Sequence, residues 1–311
     1  MPVLPTAFFL LVILTMLQGC SHTTDIPSWI DLIERKPVKT VVVQGHRLAY
    51  LDEGQGEGPP VILIHGFGGS MWQWEYQQQA LAASHRVITV DLLGSGLSDK
   101  PDIAYTPEEF LTSFTGFMDA LGIERAALAG NSMGGGVATA MALTHPNRVD
   151  RLILIAGFPD HVKEKLTSKM TRRALDTWAP IWLVKLGSWF AGRGMTETVL
   201  EEMVYDHSRL TPAVIERSYR NRQRPGIIPA IMKTGRSLPL WEEGFARRLG
   251  EVRQPVLIIW GDKDAVFPPQ VGRDLQKSIP GSALEVIPDA GHLPQWERPE
   301  LVNPLILKFL R

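Results

Sequence analysis

Apolar positions along this chain fall into short unbroken runs. VILIH (61–65), RVITVD (86–91), AALAG (126–130), RLILIAG (151–157), PVLIIWG (255–261) and ALEVI (283–287) each read as a strand. Runs that are apolar at successive positions suit strands covered on both faces. Ahead of them, TVVVQGHRLAYLDEG (40–54) reads as an antiparallel hairpin turning at Gln44-Gly45. Helix-like stretches lie between most of the runs, the rhythm of a mostly parallel sheet with helices on both faces. The expectation is an α/β fold on an eight-stranded sheet. Between Phe158 and about Gly250 the alternation stops, and a long strand-poor, helix-like region intervenes before PVLIIWG resumes it. That region, 158–250, is read as an inserted helical cap between two parts of one core, 36–157 and 251–311.

The first residues follow another pattern. MPVLPTAFFLLVILTMLQGCSHTTD carries an apolar run from Ala7 to Leu17, too short to span a bilayer as a helix. It reads as a signal peptide over 1–19. Leu17-Gln18-Gly19-Cys20 resembles the lipobox of bacterial lipoproteins, in which cleavage leaves a lipid-modified cysteine as the new first residue. The resemblance implies an exported protein anchored to a membrane through Cys20, with 20–35 as a tether.

Composition narrows the chemistry. Net charge is −1 and charged residues make up 21% of the chain, so there is no basic excess of the kind that binds nucleic acid, and no DNA or RNA partner is expected. Cys20 is the only cysteine, which excludes a disulfide framework or a thiolate metal cluster. LLGSGLS (92–98) lacks the third glycine and the helix context of a dinucleotide fingerprint. No cofactor and no metal are expected.

Chemistry concentrates at LAGNSMGGGVATAM, residues 128–141. Strand AALAG runs into Gly130-Asn131-Ser132-Met133-Gly134 and then a helix-like stretch, a G-x-S-x-G in strand–turn–helix context. A nucleophile elbow strains the backbone of its central residue, and side chains two positions either side would clash unless both are glycine. Gly135 and Gly136 let the following helix approach the sheet and leave its first amides open to developing negative charge.

At these residues the chain resembles the α/β-hydrolase superfamily, from about Lys36 to Arg311. LIHGFGG (63–69) is similar to its oxyanion loop, VDLLGSGLSDKP (90–101) to its D-x-x-G-x-G-x-S segment, and WGDKDAVFPP and DAGHLPQWERPE to its acid and histidine loops. The order Ser, Asp, His is the family's order. A serine hydroxyl needs a base to take its proton, and the base needs a third group to hold its tautomer. The resemblance implies Ser132 as nucleophile, His292 as base, and Asp264 as acid, with Asp262 of the same GDKD as the alternative and otherwise a loop-bonding residue. Backbone amides of Phe67 and Met133 are implied as the oxyanion hole, each donor worth on the order of 10²–10³ in rate. His65 is read as orienting the oxyanion loop and His145 as capping a helix end.

Ser132 at the elbow argues against the dehalogenase and epoxide-hydrolase branches, which place an aspartate there. GNSMGG with HGFGG looks most like bacterial esterases and lipases, so hydrolysis of a small-molecule or lipid ester is the first expectation. Carbon–carbon hydrolases of ring-fission products are the alternative. A binding lipoprotein that only keeps the fold would need a broken triad. The cap carries 16 Lys and Arg against 10 Asp and Glu, a balance of +6. Trp178, Trp182 and Trp189 share a side if their segment is helical despite Pro180. They either pack the cap and line an acyl pocket or face an anionic membrane. No arginine stands beside the elbow or the HGFGG loop to bind the acid of a ring-fission product, which weighs against that alternative unless a cap arginine such as Arg220 or Arg222 reaches in.

Overall fold

The computed structural model describes residues 37–169, 172 and 179–311, with backbone alone for 188–191. The signal peptide and tether, Cys20 and Trp178 lie outside the described residues, as does the Trp189 side chain.

Eight strands are present: β1 (Lys39–Val43), β2 (His46–Glu53), β3 (Val61–Ile64), β4 (Val87–Val90), β5 (Ala126–Asn131), β6 (Val149–Ile155), β7 (Val256–Gly261) and β8 (Ala283–Ile287). They form one sheet in the order β1-β2-β4-β3-β5-β6-β7-β8. β2 is antiparallel to β1 and β4, and every later pairing is parallel. The β1–β2 hairpin turns at Gln44 and Gly45 with φ of 49° and 81°, the two left-handed residues of the turn type that matches strand twist.

β3, β4, β5 and β7 are buried at every position. Their side chains alternate between two apolar layers, as a period of two requires. Val61, Leu63 and Ile153 meet Leu81 of α1 (Glu75–Ala82) and Val302 and Ile306 of α11 (Pro299–Leu310). Ile62, Ile64 and Leu154 meet Phe114 and Phe117 of α2 (Pro107–Ala120), Val137 of α3 (Met133–Thr144) and Leu275 of α9 (Pro269–Ser278). Truncating one such ring, as in Phe117→Ala, costs about 3–5 kcal/mol. Burial on both faces does not extend to β8, where only Ile287 is buried. β8 is an edge strand with β7 as its one neighbour.

α2 shows how local sequence starts an element. Thr106 accepts from the Glu109 amide, Glu109 accepts from the Thr106 amide, and Pro107 occupies the first turn where its missing N–H is no loss.

Between β6 and β7 the chain carries α4 (Val162–Lys165), α5 (Ile181–Met203), α6 (Pro212–Gln223), α7 (Ile227–Arg236) and α8 (Leu238–Gly244), with no strand among the described residues. α5 starts after Pro180 and is broken at Gly192, whose φ of 55° and ψ of −145° are not helical. Of the expected tryptophan face, α5 takes in positions 182 and 189, both ahead of the break. Trp182 is 67% exposed, so this ring neither packs the cap nor lines a pocket.

Candidate active site

Ser132 ends β5 and begins α3 with φ of 50° and ψ of −117°. A non-glycine residue there costs on the order of 1–3 kcal/mol, sustained only where the surroundings leave no alternative. Here the Ser132 amide donates to the Ile155 carbonyl at 2.9 Å. A Cβ on Gly130 would lie 2.3 Å from the backbone of Gly134, as the elbow geometry requires. Gly134 has a different constraint: its Cβ would lie 2.2 Å from the Ile64 carbonyl at the end of β3. The neighbours of Gly135 and Gly136 are Gly157 and Phe158, each 3.2 Å from the missing Cβ, on the segment leaving β6.

His292 and Asp264 meet in the interior. Nδ1 of His292 lies 2.9 Å from Oδ2 of Asp264, with side chains 3% and 0% exposed. The other carboxylate oxygen accepts from the amides of Val266 and Phe267 at 2.8 and 2.9 Å. Asp264 therefore bonds both the loop and the histidine. Asp262 is half-buried and ion-paired to Lys263 at 3.2 Å, so the loop-bonding role expected for Asp262 falls to Asp264. With its Nδ1 proton directed at a carboxylate, the imidazole has Nε2 left to accept a proton. The His292 amide donates to the Met203 carbonyl at 2.7 Å, and Asn131 Nδ2 donates to the carbonyls of His292 and Ile155 at 3.1 and 3.2 Å. His292 is thus tied to the elbow strand and to the end of α5.

Ser132, His292, Phe67 and Met133 line one cavity of about 460 Å³. Met133 is the first residue of α3, whose leading amides have no intrahelical acceptor. The Phe67 loop is pinned by Gln73, whose Oε1 accepts from Gly66 N at 2.9 Å. His65 supports it from below: Nε2 accepts from Leu92 N at 3.1 Å and Nδ1 faces the Gly66 carbonyl at 2.8 Å. Burial holds the His65 pKa below its ordinary value, which keeps the ring neutral and able to accept that bond.

The far wall of the cavity comes from the cap. Val184, Leu200, Met203, Ile231, Met232 and Trp241 make it apolar, with Thr196, Ser218, Asn221, Arg222 and Thr234 as its polar members. Arg222 donates to the Gly192 carbonyl at 2.6 Å and to Met195 Sδ at 3.0 Å. Burial lowers its pKa from the ordinary value, yet a guanidinium remains a cation at neutral pH. Arg220 turns instead to Glu216 at 2.7 Å. His145 sits at the C-terminal end of α3 against Thr144 Oγ1.

Residues 59–299 match the model of the alpha/beta hydrolase fold family. The chain belongs to the α/β-hydrolase family. This α/β-hydrolase is similar to a 2-hydroxy-6-oxononadienedioate/2-hydroxy-6-oxononatrienedioate hydrolase of Comamonas testosteroni, 32% identical over 265 residues covering 82% of this chain and 88% of that one. Among solved structures it is similar to the meta-cleavage product hydrolase of Pseudomonas fluorescens IP01, with a TM-score of 0.74, 29% identity, and coverage of 88% of this chain and 97% of the other. It is also similar to a thermophilic esterase from Thermogutta terrifontis, with a TM-score of 0.68, 30% identity and the same coverage of 88% and 97%.

Glu297 is a part of this α/β-hydrolase site that motif reading passes over. Its Oε1 accepts from the Gly291 amide at 2.7 Å, and Oε2 from the amides of Tyr205 and Asp206 at 2.8 and 3.1 Å. One buried carboxylate thereby joins the histidine loop to the segment leaving α5. Burial raises its pKa although the three amides oppose that. The available signal was the acid five residues after His292 in HLPQWE. Elsewhere, His161, Glu164 and Glu242 bring ligand atoms within 4.8 Å of one another on the surface, and none of them lines the cavity.

Proposed function

We propose that this α/β-hydrolase cleaves a carbon–carbon bond beside a ketone in an acid with one carboxylate and an apolar tail, of the kind left by fission of an aromatic ring. The observation that carries this reading is Arg222, a guanidinium in the wall of an otherwise largely apolar cavity that holds Ser132 and His292. A guanidinium pairs a carboxylate in a planar, two-bond geometry. The names of similar proteins support the choice of reaction, since 2-hydroxy-6-oxo-dienoates are the substrates in them. One arginine among the described residues of an apolar wall favours a monoacid over the dioate named for the Comamonas relative.

The proposed steps use the triad in assigned roles. Arg222 exchanges its bonds to the Gly192 carbonyl and Met195 Sδ for the acid end, and the dienol becomes a ketone as its hydroxyl proton passes to the carbon beside the distal carbonyl. Ser132 Oγ attacks the distal carbonyl while His292 takes its proton, and the oxyanion lies between the amides of Phe67 and Met133. The carbon–carbon bond then breaks, the electron pair leaves with the enoic-acid fragment, and His292 returns a proton to it. Water, activated by His292, releases the acyl group from Ser132.

A second reading, ester hydrolysis, is favoured by the apolar lining and by the similarity to an esterase. It uses the same attack with an alcohol as leaving group. The test compares kcat/KM on 2-hydroxy-6-oxo-6-phenylhexa-2,4-dienoate with p-nitrophenyl esters of graded chain length, for the parent and Arg222→Met. The dienoate should be the better substrate, and Arg222→Met should lose about 10–100-fold on it, as expected for a charge-assisted bond, with esters changed by less than about 3-fold. Esters turning over faster than the dienoate, with Arg222→Met leaving both unchanged, would establish the second reading.

Lipidation at Cys20 and export to a membrane are proposed from the LQGC segment alone. Cys20→Ala should shift the full chain from the membrane to the soluble fraction or block its processing; equal retention of both forms refutes the anchor.

A further inference from the structure

The outer side of the cap carries a surface that the chemistry does not use. Trp182, Leu183 and Leu186 are 67%, 47% and 47% exposed, three large apolar side chains within the first turns of α5. Positions 182, 183 and 186 lie on one side of a helix, while Val184 and Gly187 of the same turns line the cavity. Scattered apolar residues are ordinary on a surface, but contiguous ones mark a contact.

Charge points to the partner. From Ala179 to Met195 the chain contains Lys185 and Arg193 and no acid; Arg193 pairs with Glu216 of α6 at 2.6 Å, and Lys185 lies within the exposed turns. Arg236 lies beside the start of this segment, donating to the Ala179 carbonyl at 3.2 Å. Over 158–250 the balance is +6, from 16 Lys and Arg against 10 Asp and Glu. Two copies meeting through this face would bring like charges together, whereas an anionic bilayer neutralises them. Trp and Leu flanked by cations is the composition that rests at a headgroup boundary.

We infer that the N-terminal half of α5 docks on the surface of an anionic lipid bilayer. Trp182, Leu183 and Leu186 enter the boundary between headgroups and acyl chains, and Lys185 and Arg236 meet lipid phosphates. Gly187, exposed and also part of the cavity lining, then places an edge of the cavity beside the lipid. The inference does not depend on which bond the site cleaves.

The test is partition of the full chain onto vesicles of phosphatidylglycerol and phosphatidylethanolamine. Parent and Trp182→Ser/Leu186→Ser are compared, each with native Cys20 and again with Cys20→Ala, so that any lipid anchor is constant within a pair. The double variant should bind at least about tenfold more weakly, and Lys185→Glu should weaken binding to anionic but not to phosphatidylcholine vesicles. Brominated lipid should quench tryptophan emission more in the parent than in Trp182→Phe. Unchanged turnover of a water-soluble substrate and an unchanged melting temperature show that the variants are folded. Equal partition within both pairs overturns the inference. So does a parent dimer in sedimentation that the double variant dissociates while vesicle binding stays the same.

Discussion

The core and the cap enclose one cavity, and they are built on different terms. On the core side, Ser132 sits where a Cβ on Gly130 or Gly134 would strike backbone at 2.3 or 2.2 Å. His292 is held there through its ring, its amide and its carbonyl. On the cap side the wall is side chains from α5 to α8, packed by contact, with a helix broken at Gly192. Attack geometry thus lies where almost no substitution fits. Selection lies where substitution only reshapes a surface, since one methylene in an apolar pocket is worth about 1–3 kcal/mol of discrimination.

The largest effect that sharpens this contrast is expected at the triad. Ser132→Ala should lower kcat/KM by at least about 10³-fold on every substrate, and Asp264→Asn by about 10⁴-fold, because a wrong tautomer disables the base. Asp262→Asn should cost less than about 3-fold. Steady-state rates, with melting curves as the folding control, check the ranking; a worse Asp262→Asn would move the acid by two residues.

Glu297 belongs to both regions, so its loss should fall between core and cap behaviour. Glu297→Gln replaces one acceptor oxygen by a donor among three amide donors. A base displaced by a fraction of an ångström to 1 Å costs up to about 10², and kcat should fall about 10–100-fold with KM within about 3-fold. A change confined to KM would place Glu297 with the cap wall instead.

The smallest effect concerns His65. Burial keeps its pKa in the folded chain below the ordinary value of about 6.5. Below that pH the unfolded chain binds the proton first, so stability is complete above about 6.5 and declines as pH falls. Melting temperature measured between about pH 5 and 8 should show that decline, and His65→Gln should flatten it while lowering the neutral-pH value. An identical slope in the variant would assign the acid sensitivity to other groups.

Strand positions, elbow and acid loop were legible because each depends on a few adjacent residues. An apolar run fits a doubly covered strand wherever it occurs, and G-N-S-M-G can turn in few ways. β8 misled because ALEVI is apolar at four of five positions, and although its central Glu285 does not suit a doubly covered strand, edge position is a property of the whole sheet. The cap resisted for the same reason. Arg220 and Arg222 are equivalent in sequence, and only the packing of α6 sends one to Glu216 and the other to the cavity. For Trp182 the sequence leaves packing and an outward face both open, and only its exposure on α5 excludes packing. Glu297 acts on amides about 90 residues away in sequence, at Tyr205 and Asp206.

At the histidine loop the cap contributes main chain to the seam between the two regions, while elsewhere side chains cross it, among them Arg217 to Glu75 and Arg209 to the Glu297 carbonyl. The cap's exit gives the histidine loop the Met203 carbonyl and offers Glu297 the amides of Tyr205 and Asp206. Any helix that ends at that point supplies the same carbonyl and the same amides, and the side chain that reads them, Glu297, belongs to the core. Residues of the cap wall can therefore change without altering the main-chain partners that hold the histidine loop, provided the exit of α5 and the side chains that tie the cap to the core, such as Arg209 and Arg217, are kept.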